Sequence, residues 1–146
     1  MAGRYNWRRG KPWDGTFMFK DDEPTLQRVL GAAGYATAAF GKWHNGWGRR
    51  QVDYNEVLTP GPLETGFDYF FGTPRSHNEP PQVFVENRRV YRLDPEDPLR
   101  MVPHAEVVER GLRDWGWGLS EGAEAAHAAR PEDEIDLIVA ERAAEW

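Results

Sequence analysis

The chain has 146 residues, a net charge of −6 and no cysteine, a size that holds one ordinary domain with a substantial core and offers no disulfide, thiolate metal site or cysteine nucleophile. Its 40% hydrophobic and 29% charged residues are those of a globular chain, and an acidic pI near 5.2 runs against nucleic-acid binding, which calls for a basic domain. Mean hydropathy is −0.74, and no run approaches the roughly 18 apolar residues that a membrane-spanning helix needs.

Charge is unevenly spread: arginine and lysine crowd the first fifty residues and acids crowd the tail. Residues 1–20 have no clear period and read as an irregular arm with a short strand near Phe17; their start lacks the apolar core of a secretory signal. Asp21, Asp22 and Glu23 stand directly before Pro24, which is a helix-start signature rather than a metal site. Leu26, Val29, Leu30 and Ala33 then fall at i, i+3, i+4 and i+7, predicting an amphipathic helix from Pro24 to Ala33, with Gly34 at the left-handed stop position. Tyr35 to Phe40 reads as a buried strand, so a helix feeds a strand across a tight turn and the chain is an α/β one.

That strand runs into Gly41-Lys42-Trp43-His44-Asn45-Gly46. On an extended backbone alternate side chains share a face, which puts Lys42 and His44 on one side and Trp43 on the other. A cation beside an imidazole is an anion site; a surface pair capping a strand end is the competing reading. On a helix the two would lie roughly 200° apart, so the inference depends on extension.

Gly46 to Pro62 reads as a loop in which Arg49 and Arg50 could touch an anion, but more often such a pair simply faces water. Gly66-Phe67-Asp68-Tyr69-Phe70-Phe71-Gly72 is an aromatic run bounded by glycines, a buried strand, followed by the proline-locked polar loop 73–81. Ser76 and His77 lie there, and adjacency in sequence is no evidence for a nucleophile–base pair. Residues 82–85 and 90–93 flank 86–89 as a hairpin. Trp115 and Trp117 read as packing residues in preference to a sugar-stacking platform. Residues 121–129 are alanine-rich and helix-favouring; Pro131-Glu132-Asp133-Glu134 opens a further helix running through Ile135, Ile138, Val139 and Arg142 towards Trp146.

The 41–46 motif, following Ala33-Gly34-Tyr35-Ala36-Thr37, resembles the second signature of the sulfatase family, commonly G-K-W-H-L-G. Residues 66–72 with Pro74 and Ser76 are similar to that family's G-F-D-x-F-x-G-x-P-x-S segment. Val85-Glu86-Asn87 and the stretch 130–136 resemble bacterial arylsulfatase-like members, and all four segments keep the family's order. The resemblance implies a partial alkaline-phosphatase-like α/β fold, an incomplete sheet with flanking helices, and a sulfuric-ester hydrolase acting on a sulfate-ester small molecule or sulfated glycan. It implies that Lys42 holds a sulfate oxygen and the nucleophile's hydroxyl, that His44 bonds the aldehyde-hydrate hydroxyl driving sulfate release, and that Ser76 is a polar contact nearby. Calcium and a formylglycine nucleophile are implied as cofactors, but the residues that supply them have no counterparts among these 146. Met1-Ala2-Gly3-Arg4 resembles the T-G-R that closes the nucleophile signature. The expectation is therefore that residues 1–146 are part of a catalytic domain, lacking the N-terminal nucleophile and metal segment and the C-terminal half, and inactive alone. A bacterial cytoplasm or periplasm is the expected setting. Two alternatives stand beside this: a phosphodiesterase or phosphonate hydrolase of the same superfamily, and a noncatalytic sulfated-glycan-binding module built on Trp43, Trp47, Trp115 and Trp117 with the arginines.

Overall fold

The structure, a computed structural model, describes residues 2–3, 15–76, 81–101, 123–124 and 134–146. A four-stranded sheet of order β1-β2-β3-β4 is its centre, built from β1 (Ala38–Phe40), β2 (Tyr69–Gly72), β3 (Val85–Glu86) and β4 (Arg89–Val90). β1 and β2 are parallel, with Ala38, Ala39 and Phe40 opposite Tyr69, Phe70 and Phe71. The β2–β3 and β3–β4 pairs are antiparallel. The mixed sheet and its flanking helices fit the α/β expectation.

Alternation along β2 separates the two faces of the sheet. Phe70 points into a cluster with Phe17, Phe19, Trp43, Trp47, Leu58, Val83, Val85, Val90 and Leu99, all buried. Phe71 points the other way, stacking on Phe84 at 5.1 Å and meeting Tyr91 edge-on at 5.3 Å. Helix α2 (Ile135–Glu145) lies on this second face. The Arg142 guanidinium sits 5.2 Å from the Phe71 ring and 4.8 Å from that of Tyr91, and Trp146 meets Phe40 at 6.4 Å. The helix predicted after Pro131 is thus present.

Helix α1 (Leu26–Ala32) is shorter than the predicted 24–33 span, and Thr25, not the preceding acids, caps it by accepting from the Arg28 N–H at 3.3 Å. Its orientation reverses the expectation. Leu26 and Val29 are 60% and 62% exposed, whereas Gln27 is buried. The inward face is held by polar bonds: Gln27 Nε2 donates to Thr65 Oγ1 at 2.6 Å, Thr25 Oγ1 donates to the Thr65 carbonyl at 2.5 Å, and Arg28 donates to the Glu64 carbonyl at 2.6 Å. The apolar stripe is real as a periodicity, but those bonds turn it outward.

Gly34, at φ +88°, closes the helix as predicted. The strand expected from Tyr35 starts at Ala38, because Tyr35 N–H is still donating back to Leu30 O at 3.1 Å. The strand expected from Gly66 starts at Tyr69, since Leu63–Thr65 form a 3₁₀ turn that Gly66 ends at φ +108°. The hairpin predicted between 82 and 93 is present with a two-residue turn at Asn87-Arg88, and Asn87 takes φ +54°. The alanine-rich stretch 121–129, expected as helix, is described only at 123–124, where β6 (Ala123–Glu124) pairs antiparallel with β5 (Arg100–Met101). Backbone pairing wins over composition there. Trp115, Trp117, His77 and most of the N-terminal arm lie outside the described residues. Among the described residues no helix is long and apolar enough to cross a membrane.

Candidate anion site at the ends of the parallel strands

Beyond Phe40 the chain keeps company with the exit of β2. Gly41 N–H donates to Phe71 O at 3.0 Å, Trp43 N–H to Thr73 O at 2.9 Å and His44 N–H to Pro74 O at 3.2 Å. Two loops therefore leave the carboxyl ends of adjacent parallel strands side by side, where α/β sheets place their ligands. The approach depends on glycine: a Cβ at Gly72 would stand 1.8 Å from Gly41 O.

Trp43 fixes the segment from below. It is 4% exposed, packs against Phe19, Trp47 and Phe70, and donates from Nε1 to Gly46 O at 2.8 Å. With Trp43 turned inward, Lys42 is exposed, so the predicted opposition of these two side chains is present. His44 departs from the prediction. Its φ is +48°, so strand alternation ends there and does not by itself put its ring beside Lys42. Asn45 Nδ2 donates to Trp43 O at 2.7 Å, and Gly46, at φ +78°, has Thr16 O 1.8 Å from where a Cβ would be. A chain that must turn this tightly against another backbone forces the conformation on its neighbours.

The structure brings His44 to Ser76, with Nδ1 3.4 Å from Oγ. At that length the contact is weak, so Ser76 can orient the ring but is no activated nucleophile. If the hydroxyl donates to Nδ1, the imidazole proton sits on Nε2, the form that donates to an oxyanion; the opposite arrangement makes Nε2 an acceptor. Thr73 Oγ1 donates to Arg75 O at 2.8 Å and holds this loop.

Arg75 is a polar group of the site that reading the sequence overlooked. Half-buried between Pro74 and Ser76, it hydrogen-bonds the Tyr54 hydroxyl. Burial pushes the Tyr54 phenol up, while the Arg75 charge and hydrogen bond pull it down. Its only sequence signal was its position within Thr73-Pro74-Arg75-Ser76.

Trp43 and Trp47, at 4% and 2% exposed, are core residues and are not available to stack on a sugar, which removes them from the glycan-module reading. Arg49 is exposed, as expected, and also donates to Phe19 O at 3.0 Å, pairs with Asp21 and sits 5.3 Å from the Phe17 ring. Among the described residues, no group of three or more His, Asp or Glu side chains could hold a metal ion. These residues do not fit a calcium site, and the chemistry derived for them rests on Lys42, His44 and Ser76.

Comparison with known proteins bears on the family and the fold of the chain. The Sulfatase family model matches residues 10–121. The N-acetylgalactosamine-6-O-sulfatase of Bacteroides thetaiotaomicron is 36% identical over 123 residues, covering 81% of this chain and 23% of that protein. Human arylsulfatase G is 44% identical over 57 residues, 39% of this chain and 9% of its own; human steryl-sulfatase is 37% identical over 83 residues, 49% and 14%. A solved structure from work on the metabolism of multiple glycosaminoglycans by Bacteroides thetaiotaomicron superposes with a TM-score of 0.81 at 28% identity, over 99% of this chain and 35% of that one. The small mixed sheet with its flanking helices is therefore part of an alkaline-phosphatase-like fold. This chain spans 23% or less of the length of these three named relatives.

Proposed function

This chain belongs to the sulfatase family, and on that premise we propose that residues 1–146 are part of a sulfuric-ester hydrolase catalytic domain and carry the Lys42 and His44 portion of its sulfate pocket. The observation that carries the reading is the paired exit of β1 and β2, in which Trp43 and His44 bond to Thr73 and Pro74 and seat the 42–44 and 73–76 loops together. In this reading Lys42 is the anion-binding residue. Its ammonium is a compact charge with three donors, suited to a sulfate oxygen that gains charge as the S–O bond to the alcohol breaks. His44, oriented by Ser76, donates to an oxygen of the bound sulfate when its proton is on Nε2. Arg75 adds a fixed positive charge to the loop that carries Ser76. Calcium and the formylglycine nucleophile remain family expectations, and no step is routed through them. The substrate class is a sulfate ester; sulfated sugars are favoured by the relative named for N-acetylgalactosamine 6-O-sulfate.

Calorimetric titration of the 146-residue chain with inorganic sulfate tests the pocket. Wild type and Lys42→Arg should bind, and Lys42→Ala should bind at least tenfold more weakly, as loss of a charge-assisted bond of about 1.5–3 kcal/mol requires. Equal affinity in Lys42→Ala refutes the assignment. A phosphodiesterase or phosphonate hydrolase would bind phosphate in preference to sulfate in the same titration.

A further inference from the structure

Across the sheet from Lys42, the edge strand β4 borders a groove of about 460 Å³ lined by Val57 and residues 86–92, within the roughly 300–1,000 Å³ of small-ligand sites. β4 is the last strand and β1 the first, so the sheet's width, roughly 14 Å at about 4.8 Å per strand, separates this groove from the site above. Three of its residues are arginines in a chain of net charge −6. Arg88 is neutralised, its Nε and Nη2 bonding to Glu64 Oε1 at 2.9 and 2.7 Å. Arg89 and Arg92 are exposed and form no ion pair among the described residues. Among the described residues lining the groove the one carboxylate is Glu86, which accepts from the Tyr69 hydroxyl at 2.6 Å and keeps its charge opposite Arg89 in the β3–β4 pair.

Arg92 is also held in place. Its backbone stands at φ +59°, uncommon for a residue with a Cβ, and its guanidinium lies 5.1 Å from the Tyr91 ring centroid. A guanidinium over a ring keeps its in-plane N–H fork available for an oxyanion. Val57, 43% exposed, adds an apolar surface to the same groove. Two exposed guanidiniums outnumbering the one groove carboxylate, beside a small apolar patch, fit a ligand that is anionic at one group and apolar on one face, as a sulfated sugar ring is.

We propose that the β4-edge groove is a second binding site for a sulfated oligosaccharide, with Arg89 and Arg92 gripping one sulfate and Val57 against the sugar ring. The ligand class rests on the sulfatase reading; the location does not. The site holds a chain of sulfated sugar at a distance from Lys42 and takes no part in bond breaking.

The test is calorimetric titration of the 146-residue chain with a sulfated glycosaminoglycan hexasaccharide, the same hexasaccharide desulfated, and inorganic sulfate. Wild type should bind the sulfated hexasaccharide, and Arg89→Ala/Arg92→Ala should bind it at least tenfold more weakly while keeping its Lys42-dependent affinity for inorganic sulfate. Both side chains are exposed and only the Arg92 contact with the Tyr91 ring is lost, so the double variant should still fold and melt slightly below wild type, and Arg89→Lys/Arg92→Lys should recover only part of the affinity. The proposal is overturned if the double alanine variant binds within twofold of wild type, or if the desulfated hexasaccharide binds equally well. Should Lys42→Ala alone abolish hexasaccharide binding, the groove proposal falls and the Lys42 pocket stands; loss of inorganic sulfate binding only in the arginine variant would sink the pocket instead.

Discussion

Gly72→Ala asks whether the contact between the two strand exits holds the candidate site together. The added methyl would meet Gly41 O at 1.8 Å and Gly41 C at 2.6 Å, where ordinary carbon–oxygen contact needs well over 3 Å. The obstacle is backbone on the neighbouring strand, so no side chain can swing away. Relief requires the exits to part, which stretches the bonds from Gly41 to Phe71 O and from Trp43 to Thr73 O, now 3.0 and 2.9 Å. At about 0.5–1.5 kcal/mol net for each bond, and more where a buried group is left unpaired, the variant should lose about 2–4 kcal/mol of stability. Urea unfolding followed by tryptophan fluorescence measures this, because Trp43 and Trp47 are buried next to the join. Inorganic sulfate titration of the folded fraction reads the second consequence, weaker binding as Lys42 and Ser76 move apart. An alanine variant that unfolds within 0.5 kcal/mol of wild type and binds sulfate unchanged would refute both the close approach and the role given to it.

Other perturbations address the supports of this arrangement. Thr65→Val removes the hydroxyl that accepts from Gln27 Nε2 and donates to Pro62 O, both at 2.6 Å, and should cost about 2–3 kcal/mol in urea unfolding by orphaning buried groups; adding Gln27→Leu should return much of it, since removing both partners is near neutral. Tyr69 is pushed up to about 12 by burial and then by the Glu86 hydrogen bond and charge. Because its folded value lies above the unfolded one near 10, its contribution is full below pH 10 and lost as pH rises to 12. Melting temperature should fall across that window, and fall less steeply in Tyr69→Phe. Arg142→Ala removes two ring contacts worth about 0.5–1 kcal/mol each from a helix whose first residue has no side-chain cap, and amide exchange in 135–145 should accelerate while that of β2 does not.

Periodicity and glycine placement made much of the sheet legible. The aromatic run at 66–72, the hairpin near 87 and the strand before Gly41 each carry a local signal, and each is present. Element boundaries moved by two or three residues where a turn hydrogen bond competed with strand pairing, as at Tyr35 and Gly66. Helix α1 shows a deeper limit. Spacing tells which residues share a face, but which way the face looks depends on partners far along the chain. Thr65 lies 38 residues from Gln27 and 40 from Thr25, and nothing local to 26–33 announces those bonds.

The same division runs through the site. Lys42 and Trp43 were readable because two-residue alternation survives until His44 takes a positive φ, although its N–H still bonds Pro74 O. His44 breaks from it where Gly46 passes so close to the Thr16 carbonyl that a Cβ there would stand 1.8 Å from its oxygen, a constraint set by the fold. Its neighbour Ser76 was expected only through resemblance, and its 3.4 Å contact spans 32 residues. Burial of Trp43 also bears on which way Lys42 faces. The ring is held by three aromatic neighbours and by its own bond to Gly46 O, so rotating Lys42 inward would require exposing an indole from the core. Full burial of a large side chain is worth about 1.5–3 kcal/mol, and more for so large an aromatic, which exceeds the 0–1 kcal/mol that a surface ion pair returns. The cation faces outward because its neighbour cannot.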